Sequence, residues 1–248
     1  MSSPTNWMKK EYDDLVKKGF DWKPPVIGGP STGRAIIDGK EGIMLCANNY
    51  LSMSNHPKVK QAAIDAVKSH GAGSGSVRPI AGNMDIHNEL EDTIARFKNR
   101  EAALYYQTGF AVNSGLIPQL AGKNDSIISD QLNHGSIIDG VRLSGVKKEN
   151  RTIYAHNDMG ELEDRLKKAT KKSEKTLVIS DGVFSMDGDI APLDKITKLG
   201  EYGHRVNNPQ VEALECEGRY LLYRSREPLS CLSLFPWSKC SQFCSTFH

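Results

Sequence analysis

The residues best placed to do chemistry follow an apolar run at 176–180, which has the length and β-branched content of a buried strand. The run is followed by Asp181, and the next turn supplies the hydroxyl of Ser185 and two more carboxylates, Asp187 and Asp189. In an open α/β sheet, ligands bind at the carboxyl ends of the strands. The pattern therefore indicates a ligand site at this turn, although a plain connection between a strand and a helix has the same composition.

A second stretch, Thr108-Gly109-Phe110, lies between an apolar run and a helical pattern. Glycine allows the backbone to approach an anion closely. The first turn of a helix also offers N–H groups without partners and the positive end of the helix dipole. These three residues could therefore bind a phosphate group. An ordinary helix start would look the same, so the stretch alone leaves both interpretations open.

Two other loops carry side chains that could bind a substrate or a cofactor. His134 lies in the loop 130–136, where an imidazole could stack on a flat heterocycle, transfer a proton, or simply cap the following helix. Asn49 ends an early hairpin pattern and by itself indicates only a turn. No histidine belongs to a pair with the spacing of a metal site, so we predict no bound metal.

The composition of the 248-residue chain indicates a globular protein and excludes several classes. Hydrophobic residues make up 38% of the chain and charged residues 25%, with a formal net charge of +2. Basic residues are interleaved with acidic ones, so we expect no nucleic-acid partner. No apolar run approaches the roughly 20 residues of a membrane span, and the polar N-terminus has no signal-peptide core. We therefore expect a cytoplasmic protein that contacts no membrane.

Beyond residue 100, strand patterns and helix patterns alternate along the chain. This alternation predicts an α/β fold with a mainly parallel sheet and helices on both faces. It also places the loops of Thr108, His134 and Ser185 after the carboxyl ends of strands. The predicted strands are 102–107, 126–129, 152–155 and 176–180, and the predicted helices are 109–120, 135–143, 161–169 and 192–201.

The pattern changes near residue 205. A parallel sheet in progress should supply another apolar strand, but residues 225–248 are rich in Ser, Cys, Phe and Pro, without alternation or a helical face. We therefore predict three segments along the chain. They are an N-terminal helix and hairpin at 1–50, a partial major domain at 51–204, and a tail at 205–248 that is disordered or encoded out of frame.

Six stretches form one ordered set: Asn48-Asn49-Tyr50-Leu51, 73–82, 87–91, Thr108-Gly109-Phe110, 130–136 and 181–189. Together they resemble the α-oxoamine synthases, which are pyridoxal-phosphate enzymes of the aspartate-aminotransferase fold. The resemblance runs from about residue 6 to about residue 204. Within the family, Ser-Val-Arg at 76–78 and the stretch 181–188 look most like glycine C-acetyltransferase. The alternative is the aminooxononanoate synthase of biotin synthesis.

The resemblance implies a role for each candidate residue at the cofactor. Backbone N–H groups at the start of the helix would hold the phosphate of pyridoxal phosphate, the histidine would stack on the pyridine ring, and the serine would bond near the phenolic oxygen. The implied cofactor-binding residues are Thr108, Gly109, Phe110, His134, Asp181 and Ser185.

The reaction implied by the resemblance condenses glycine with the thioester of acetyl-CoA to give 2-amino-3-oxobutyrate. The cofactor ring serves as an electron sink, which makes the Cα proton of glycine removable. Asn49 would lie near the substrate amino acid. The resemblance also implies a homodimer in intact relatives.

Two residues that the family requires do not follow the matched region. One is an aspartate that keeps the pyridine nitrogen protonated, and the other is a lysine that links covalently to the cofactor. No aspartate follows Asp194, and Lys239 is the one candidate lysine after Lys198, with flanks that do not match. We therefore predict an inactive, truncated or frameshifted relative without a catalytic residue. A non-catalytic subunit that pairs with an intact paralogue, and a fragment that does not fold stably, are the other hypotheses.

Overall fold

The structure is a computed structural model that describes residues 4–99 and 101–205, together with three short strands at 211–215, 220–223 and 232–233. Side chains are described up to residue 200. The chain divides into two compact units, Met1–Gly73 and Ser74–His248, and each is described by itself. No helix among the described residues is both long and apolar enough to cross a membrane.

The first unit contains two helices and the predicted hairpin. Helix α1 spans Asn6–Lys17, strands β1 and β2 span Arg34–Ile37 and Lys40–Ile43, and helix α2 spans Pro57–His70. The two strands pair antiparallel, with Ile37 opposite Lys40. The two-residue turn between them has positive φ at Asp38 and Gly39, which is the geometry that matches the twist of paired strands.

The second unit begins with a short π-helical turn and then alternates helices and strands. The first elements after the turn at Arg78–Gly82 are α3 (Asp85–Phe97), β3 (Ala102–Tyr105), α4 (Gly109–Leu120), β4 (Ser126–Asp130) and α5 (Gly135–Leu143). They are followed by β5 (Arg151–Tyr154), α6 (Met159–Ala169), β6 (Thr176–Ser180), α7 (Leu193–Arg205), β7 (Val211–Glu215), β8 (Tyr220–Tyr223) and β9 (Leu232–Ser233).

The predicted parallel sheet is confirmed. Five strands lie in the order β5-β4-β6-β7-β9, and each neighbouring pair is parallel. Strand β3, the first of the alternating series, does not join this sheet, because it pairs antiparallel with β8. Strands β4 and β6 are therefore neighbours inside the sheet, and every residue of both is buried.

Helices cover both faces of this sheet, as predicted. Alternate residues of the central strands point to opposite sides, so that each strand contributes to two separate cores. The first core joins Ile127, Leu177 and Ile179 to Val112, Leu116, Ile117 and Ile137 of α4 and α5. The second joins Ile128 and Val178 to Leu162, Leu166, Phe184 and Ile196.

Three described strands, β7, β8 and β9, lie after residue 205, and the disordered or out-of-frame tail expected at 205–248 stays a prediction. Strand β7 lies beside β6 over its whole length, and β9 adds a further short strand. The edge of β6 would otherwise leave a row of N–H and C=O groups unpaired, and an extended segment beside it satisfies them. Sequence analysis did not indicate these strands, because the stretch that follows residue 205 shows little periodicity. The boundaries predicted at residues 50 and 204 stay predictions.

Candidate functional site

Three candidate residues of the second unit, His134, Asp181 and Ser185, follow the carboxyl ends of β4 and β6. These strands are parallel neighbours, with Ser129 opposite Ile179, so the loops that follow them emerge at the same edge of the sheet. We call residues 130–136 the His134 loop and residues 182–191 the Ser185 loop.

The His134 loop is fixed to the end of β6 by two reciprocal hydrogen bonds. The backbone N–H of Asp181 donates to Asn133 Oδ1 at 2.7 Å, and the backbone N–H of His134 donates to Asp181 Oδ2 at 2.6 Å. Asn133 also donates from Nδ2 to Ser129 Oγ and to the carbonyl oxygen of Ile179, both at 2.9 Å. Asn133 and Asp181 are buried, so these bonds are shielded from water. The backbone position of His134 is thereby set by two buried side chains.

The ring of His134 is exposed and caps helix α5. Its Nδ1 accepts the backbone N–H of Ser136 at 3.1 Å and lies 2.7 Å from Ser136 Oγ. Ser136 Oγ in turn accepts Nδ2 of the buried Asn113 at 2.8 Å. This chain of bonds connects α4 to the first turn of α5. Both the capping role and an exposed aromatic face are therefore present at His134.

The first turn of α4 offers backbone donors at the end of β3. Thr108 is the N-cap residue, and its hydroxyl oxygen accepts the N–H of Ala111 at 3.0 Å. The first N–H groups of a helix have no partner within the helix. Within the described part of the chain, no acceptor pairs with the N–H of Gly109 or of Phe110. Two adjacent donors at the positive end of a helix dipole form an anion site.

The Ser185 loop is a closed turn with its tip exposed. The N–H groups of Phe184, Gly188 and Ala191 donate to the carbonyl oxygens of Asp189, Phe184 and Gly182 at 2.9, 2.8 and 3.0 Å. Phe184 is buried in the second core, whereas Ser185 is exposed. Gly188 has φ +76°, a conformation that strains residues with a side chain. The buried ring of Phe184 therefore anchors the loop in the core, while the hydroxyl of Ser185 stays exposed.

Sequence reasoning missed a residue in this cluster, His156, which follows β5. Its two ring nitrogens lie close to two carboxylates, one from Asp130 at the end of β4 and one from Asp189 in the Ser185 loop. The rule that places ligand sites at the carboxyl ends of strands could have indicated His156, because it comes two residues after the end of β5.

Two predicted residues do not belong to the described part of the second unit. Asn49 belongs to the first unit, where its Nδ2 donates to the Ser31 carbonyl oxygen at 2.6 Å and to Ser54 Oγ at 2.7 Å. Its proposed place beside a substrate stays a prediction. Lys239 lies outside the described residues. Among the described residues, no group of three or more His, Cys, Asp or Glu side chains is arranged to hold a metal ion.

The carboxyl group of Asp181 is buried without a cation beside it. Burial raises its pKa to about 6, the hydrogen bond from the His134 N–H opposes this rise, and the nearby charge of Asp130 adds to it. The ordinary value of such a group is 3.8. The folded state favours the neutral form of this carboxyl group. The stabilisation that results is complete below pH 3.8 and is lost as the pH rises through about 6.

We expect Asp181→Asn to be more stable than the wild type at pH 7.5, by about 3 kcal/mol, and to match it at pH 4. Asparagine keeps an oxygen that accepts the His134 N–H, but it cannot ionise. Urea unfolding of the full chain at pH 4, 5, 6 and 7.5 measures the difference. Asp187→Asn is the matched control, since Asp187 is exposed. A stability difference between Asp181→Asn and the wild type that does not change with pH would contradict the assignment.

The fold and this cluster define a class of structure before any comparison is made: an α/β domain in which a helix start with two unpartnered N–H groups is linked through Asn113 and Ser136 to the ring of His134. A family model described as aminotransferase class I and II matches residues 40–207. The match covers more than half of the chain, and the chain therefore belongs to this family. The expected dependence of the family on pyridoxal phosphate and the expected fold are confirmed.

Curated relatives and solved structures agree with this assignment. An 8-amino-7-oxononanoate synthase of Alkaliphilus metalliredigens is 50% identical over 198 residues, which are 79% of this chain and 49% of the relative. A serine palmitoyltransferase of S. paucimobilis, a lysine-to-alanine variant with pyridoxal phosphate joined to myriocin, is 30% identical with a TM-score of 0.74. That alignment covers 85% of this chain and 52% of the other. The chain spans about half the length of the curated relatives it matches.

The described residues fit a phosphorylated pyridine cofactor on their own chemistry. The N–H groups of Gly109 and Phe110 suit a phosphate, because they have no acceptor within the described part of the chain. The exposed ring of His134 offers a flat surface, and its backbone is fixed by Asp181. The exposed hydroxyl of Ser185 can donate or accept a hydrogen bond.

Proposed function

We propose that this chain forms the cofactor-binding part of a pyridoxal-phosphate-dependent C-acyltransferase of the α-oxoamine synthase type. The observation that carries the proposal is the pair of unpartnered N–H groups at the start of α4, linked through Asn113 and Ser136 to the capping ring of His134. A pair of phosphate donors and an aromatic surface at the starts of α4 and α5 are two features that suit such a cofactor.

Each residue has a distinct task in this proposal. Gly109 and Phe110 donate their N–H groups to the phosphate, and the Thr108 hydroxyl, whose oxygen already accepts from Ala111, still has a proton to donate. His134 stacks on the pyridine ring, and Ser185 bonds near the phenolic oxygen. The bound cofactor supplies an electron sink that makes a bond at Cα of the amino acid labile. A lysine-to-alanine serine palmitoyltransferase holds pyridoxal phosphate in the form of its adduct with myriocin.

The similarity to 8-amino-7-oxononanoate synthases supports a particular pair of substrates. In the product that this name describes, the carbon with the amino group carries a methyl group, and the oxo group is the seventh carbon of an acid. Alanine that has lost its carboxylate supplies the first part, and the thioester of a seven-carbon dicarboxylic acid supplies the second. We therefore propose alanine and a pimeloyl thioester as substrates of the intact enzyme. Glycine C-acetyltransferase, suggested by Ser76-Val77-Arg78, is the alternative.

A comparison of pyridoxal phosphate with pyridoxal tests the proposed phosphate site in the full chain. We expect Thr108→Val to weaken the binding of pyridoxal phosphate about tenfold, because a hydrogen bond to a charged group is lost. The binding of pyridoxal should not change, since it has no phosphate. Thr108→Ser keeps the hydroxyl and is the matched control. Spectrophotometric titration gives the dissociation constants. Equal losses for both ligands, or no binding of pyridoxal phosphate by the wild type, would contradict the proposal.

The same titration distinguishes the two substrate assignments. Amino acids are added to the chain saturated with pyridoxal phosphate, and identical additions without the chain give the background. Alanine should change the absorbance at a lower concentration than glycine. The reverse order would favour glycine C-acetyltransferase and overturn the assignment to alanine.

A further inference from the structure

His156 connects the two loops of the proposed cofactor site through its side chain. Its Nδ1 lies 2.9 Å from Asp130 Oδ1, and its Nε2 lies 2.6 Å from Asp189 Oδ2. Asp130 ends β4 and begins the His134 loop, and its Oδ1 also accepts the N–H of Leu132 at 2.9 Å. Asp189 closes the Ser185 loop. The imidazole is therefore the link between the loop that presents the aromatic ring and the loop that presents the serine hydroxyl.

The chemistry of the two partners sets the protonation of this ring. An ionised carboxylate can only accept hydrogen bonds, and a neutral imidazole has a single N–H. Two ionised carboxylates at 2.9 and 2.6 Å from the two nitrogens therefore favour a proton on each nitrogen. The amide Nδ2 of Asn157 also lies 3.1 Å from Nε2, a longer contact than that of Asp189. The side chain of Asp130 is 0% exposed, and that of His156 is 22% exposed, so this pair is largely shielded from water. Asp189 is 38% exposed, which makes its bond the weaker of the two.

Neighbouring groups reinforce the link on both sides. Asn157 donates its backbone N–H to Asp130 Oδ2 at 3.0 Å. The side-chain Nδ2 of Asn157 donates to Asp189 Oδ2 at 2.8 Å. The ring of Phe184 meets the imidazole edge to face, with centroids 4.3 Å apart. Phe184 directly precedes Ser185 in the chain. A displacement of His156 would therefore disturb the Ser185 loop on both sides of Ser185, at Phe184 and at Asp189.

Other ionisable side chains close to His156 along the chain include Tyr154 and Glu161. Tyr154 of β5 lies beside Asp130, and burial raises the pKa of its hydroxyl, which stays neutral. Glu161 of α6 accepts the N–H of Ala155 and pairs with Arg165 at 2.7 Å. Burial lowers the pKa of His156, but the hydrogen bonds to Asp130 and Asp189 raise it by more, so that it lies above its ordinary value.

We propose that His156 is a positioning residue whose doubly protonated imidazole holds the Ser185 loop against the end of β4. The effect of His156 on cofactor binding rests on the proposed function, whereas its role in connecting the two loops does not. The stabilising effect is complete below about pH 6.5, the ordinary pKa of histidine, and is lost as the pH rises through the higher pKa of the folded state. The Ser185 loop should therefore loosen as the solution becomes basic.

Hydrogen exchange of the Ser185 loop tests the proposal without any cofactor. At pH 6 we expect His156→Gln to reduce the protection of the Phe184, Gly188 and Ala191 amides about tenfold, because glutamine carries no charge and has one donor nitrogen in place of two. In the wild type, NMR of the ring nitrogens should show both protonated at pH 6.5. His70→Gln, on α2 of the first unit, is the control and should leave the protection unchanged.

A second variant covers the case in which His156→Gln does not fold. Asp189→Asn changes a partly exposed side chain, and it should lower the pKa of the His156 ring and reduce the same protection. A ring nitrogen of His156 without a proton at pH 6, or unchanged protection in both variants, would overturn the proposal.

Titration with pyridoxal phosphate then measures the consequence for the site. At pH 6 we expect the wild type to bind about tenfold more tightly than His156→Gln, and this ratio should fall towards one as the pH rises. Because both proteins are measured at each pH, a change in the protonation of pyridoxal phosphate affects both dissociation constants and cancels in their ratio. If the wild type binds no pyridoxal phosphate, the proposed function fails, and the exchange and NMR results still decide the role of His156. A ratio that does not change with pH would contradict positioning by the protonated ring.

Discussion

Asn133→Ala should lower the free energy of unfolding of the full chain by about 4 kcal/mol. The side chain is buried and makes three hydrogen bonds, from Nδ2 to Ser129 Oγ and the Ile179 carbonyl oxygen, and at Oδ1 from the Asp181 N–H. Alanine removes all three and leaves the buried N–H of Asp181 without that acceptor. An unsatisfied buried group costs about 1–3 kcal/mol by itself, and the other two lost bonds add to this.

Urea unfolding at fixed pH, with an unchanged slope against denaturant, measures this loss. Asn124→Ala is the matched control, because Asn124 donates at the surface to Glu174 at 2.7 Å. We expect that control to lie within about 0.5 kcal/mol of the wild type. Similar values for the two variants would mean that Asn133 does not hold the His134 loop to the end of β6.

Most helices and strands of the second unit could be predicted from sequence because their hydrophobic patterns are strong. Strands β4 and β6 are short apolar runs, and buried residues in α6 recur at Leu162, Leu166 and Ala169. The partners of β3 could not be predicted, since pairing between distant strands leaves no local signal. Strand β7 was also not predicted, because two of its five residues are glutamates and it lacks the continuous apolar run of β6.

The candidate site was predicted loop by loop, but not as a connected set. The strand-end rule indicated His134, Asp181 and Ser185 separately. The bond between the His134 N–H and Asp181 joins residues 47 positions apart, and the bond between His156 and Asp189 joins residues 33 apart. Such contacts depend on which strands are neighbours, and a single sequence does not encode that order in its periodicity.

The sequence likewise supports the family more strongly than it supports one enzyme within the family. Three of the stretches that resemble the family, 108–110, 130–136 and 181–189, supply the residues of the proposed cofactor site, and a cofactor common to many reactions places similar demands on them. These stretches therefore support a chemistry shared by the family more strongly than they support a particular amino acid or thioester as substrate. The comparison over 198 residues favours 8-amino-7-oxononanoate synthase over the glycine enzyme suggested by Ser76-Val77-Arg78.

We expect Gly140→Ala to lower the free energy of unfolding by about 3 kcal/mol, although alanine normally stabilises a helix relative to glycine by about 1 kcal/mol. Gly140 lies in α5 where it crosses α4. A methyl group there would lie 2.5 Å from the carbonyl oxygen of Asn113 and 2.8 Å from Ile117 Cδ1. The two helices would have to separate, because a backbone oxygen cannot turn aside as a flexible side chain can.

Gly115→Ala provides a control of opposite sign on the partner helix. A methyl group at Gly115 would meet Tyr106 Cε1 at 3.6 Å, an ordinary contact, so this variant should gain up to about 1 kcal/mol. Separation of the helices in Gly140→Ala would also stretch the bond between Asn113 and Ser136, which is 2.8 Å long and connects α4 to the His134 cap. Pyridoxal phosphate should therefore bind more weakly to Gly140→Ala than to Gly115→Ala under conditions in which both are folded. A Gly140→Ala variant as stable as Gly115→Ala would show that the two helices do not approach so closely, and the proposed link from the phosphate site to His134 would lose its support.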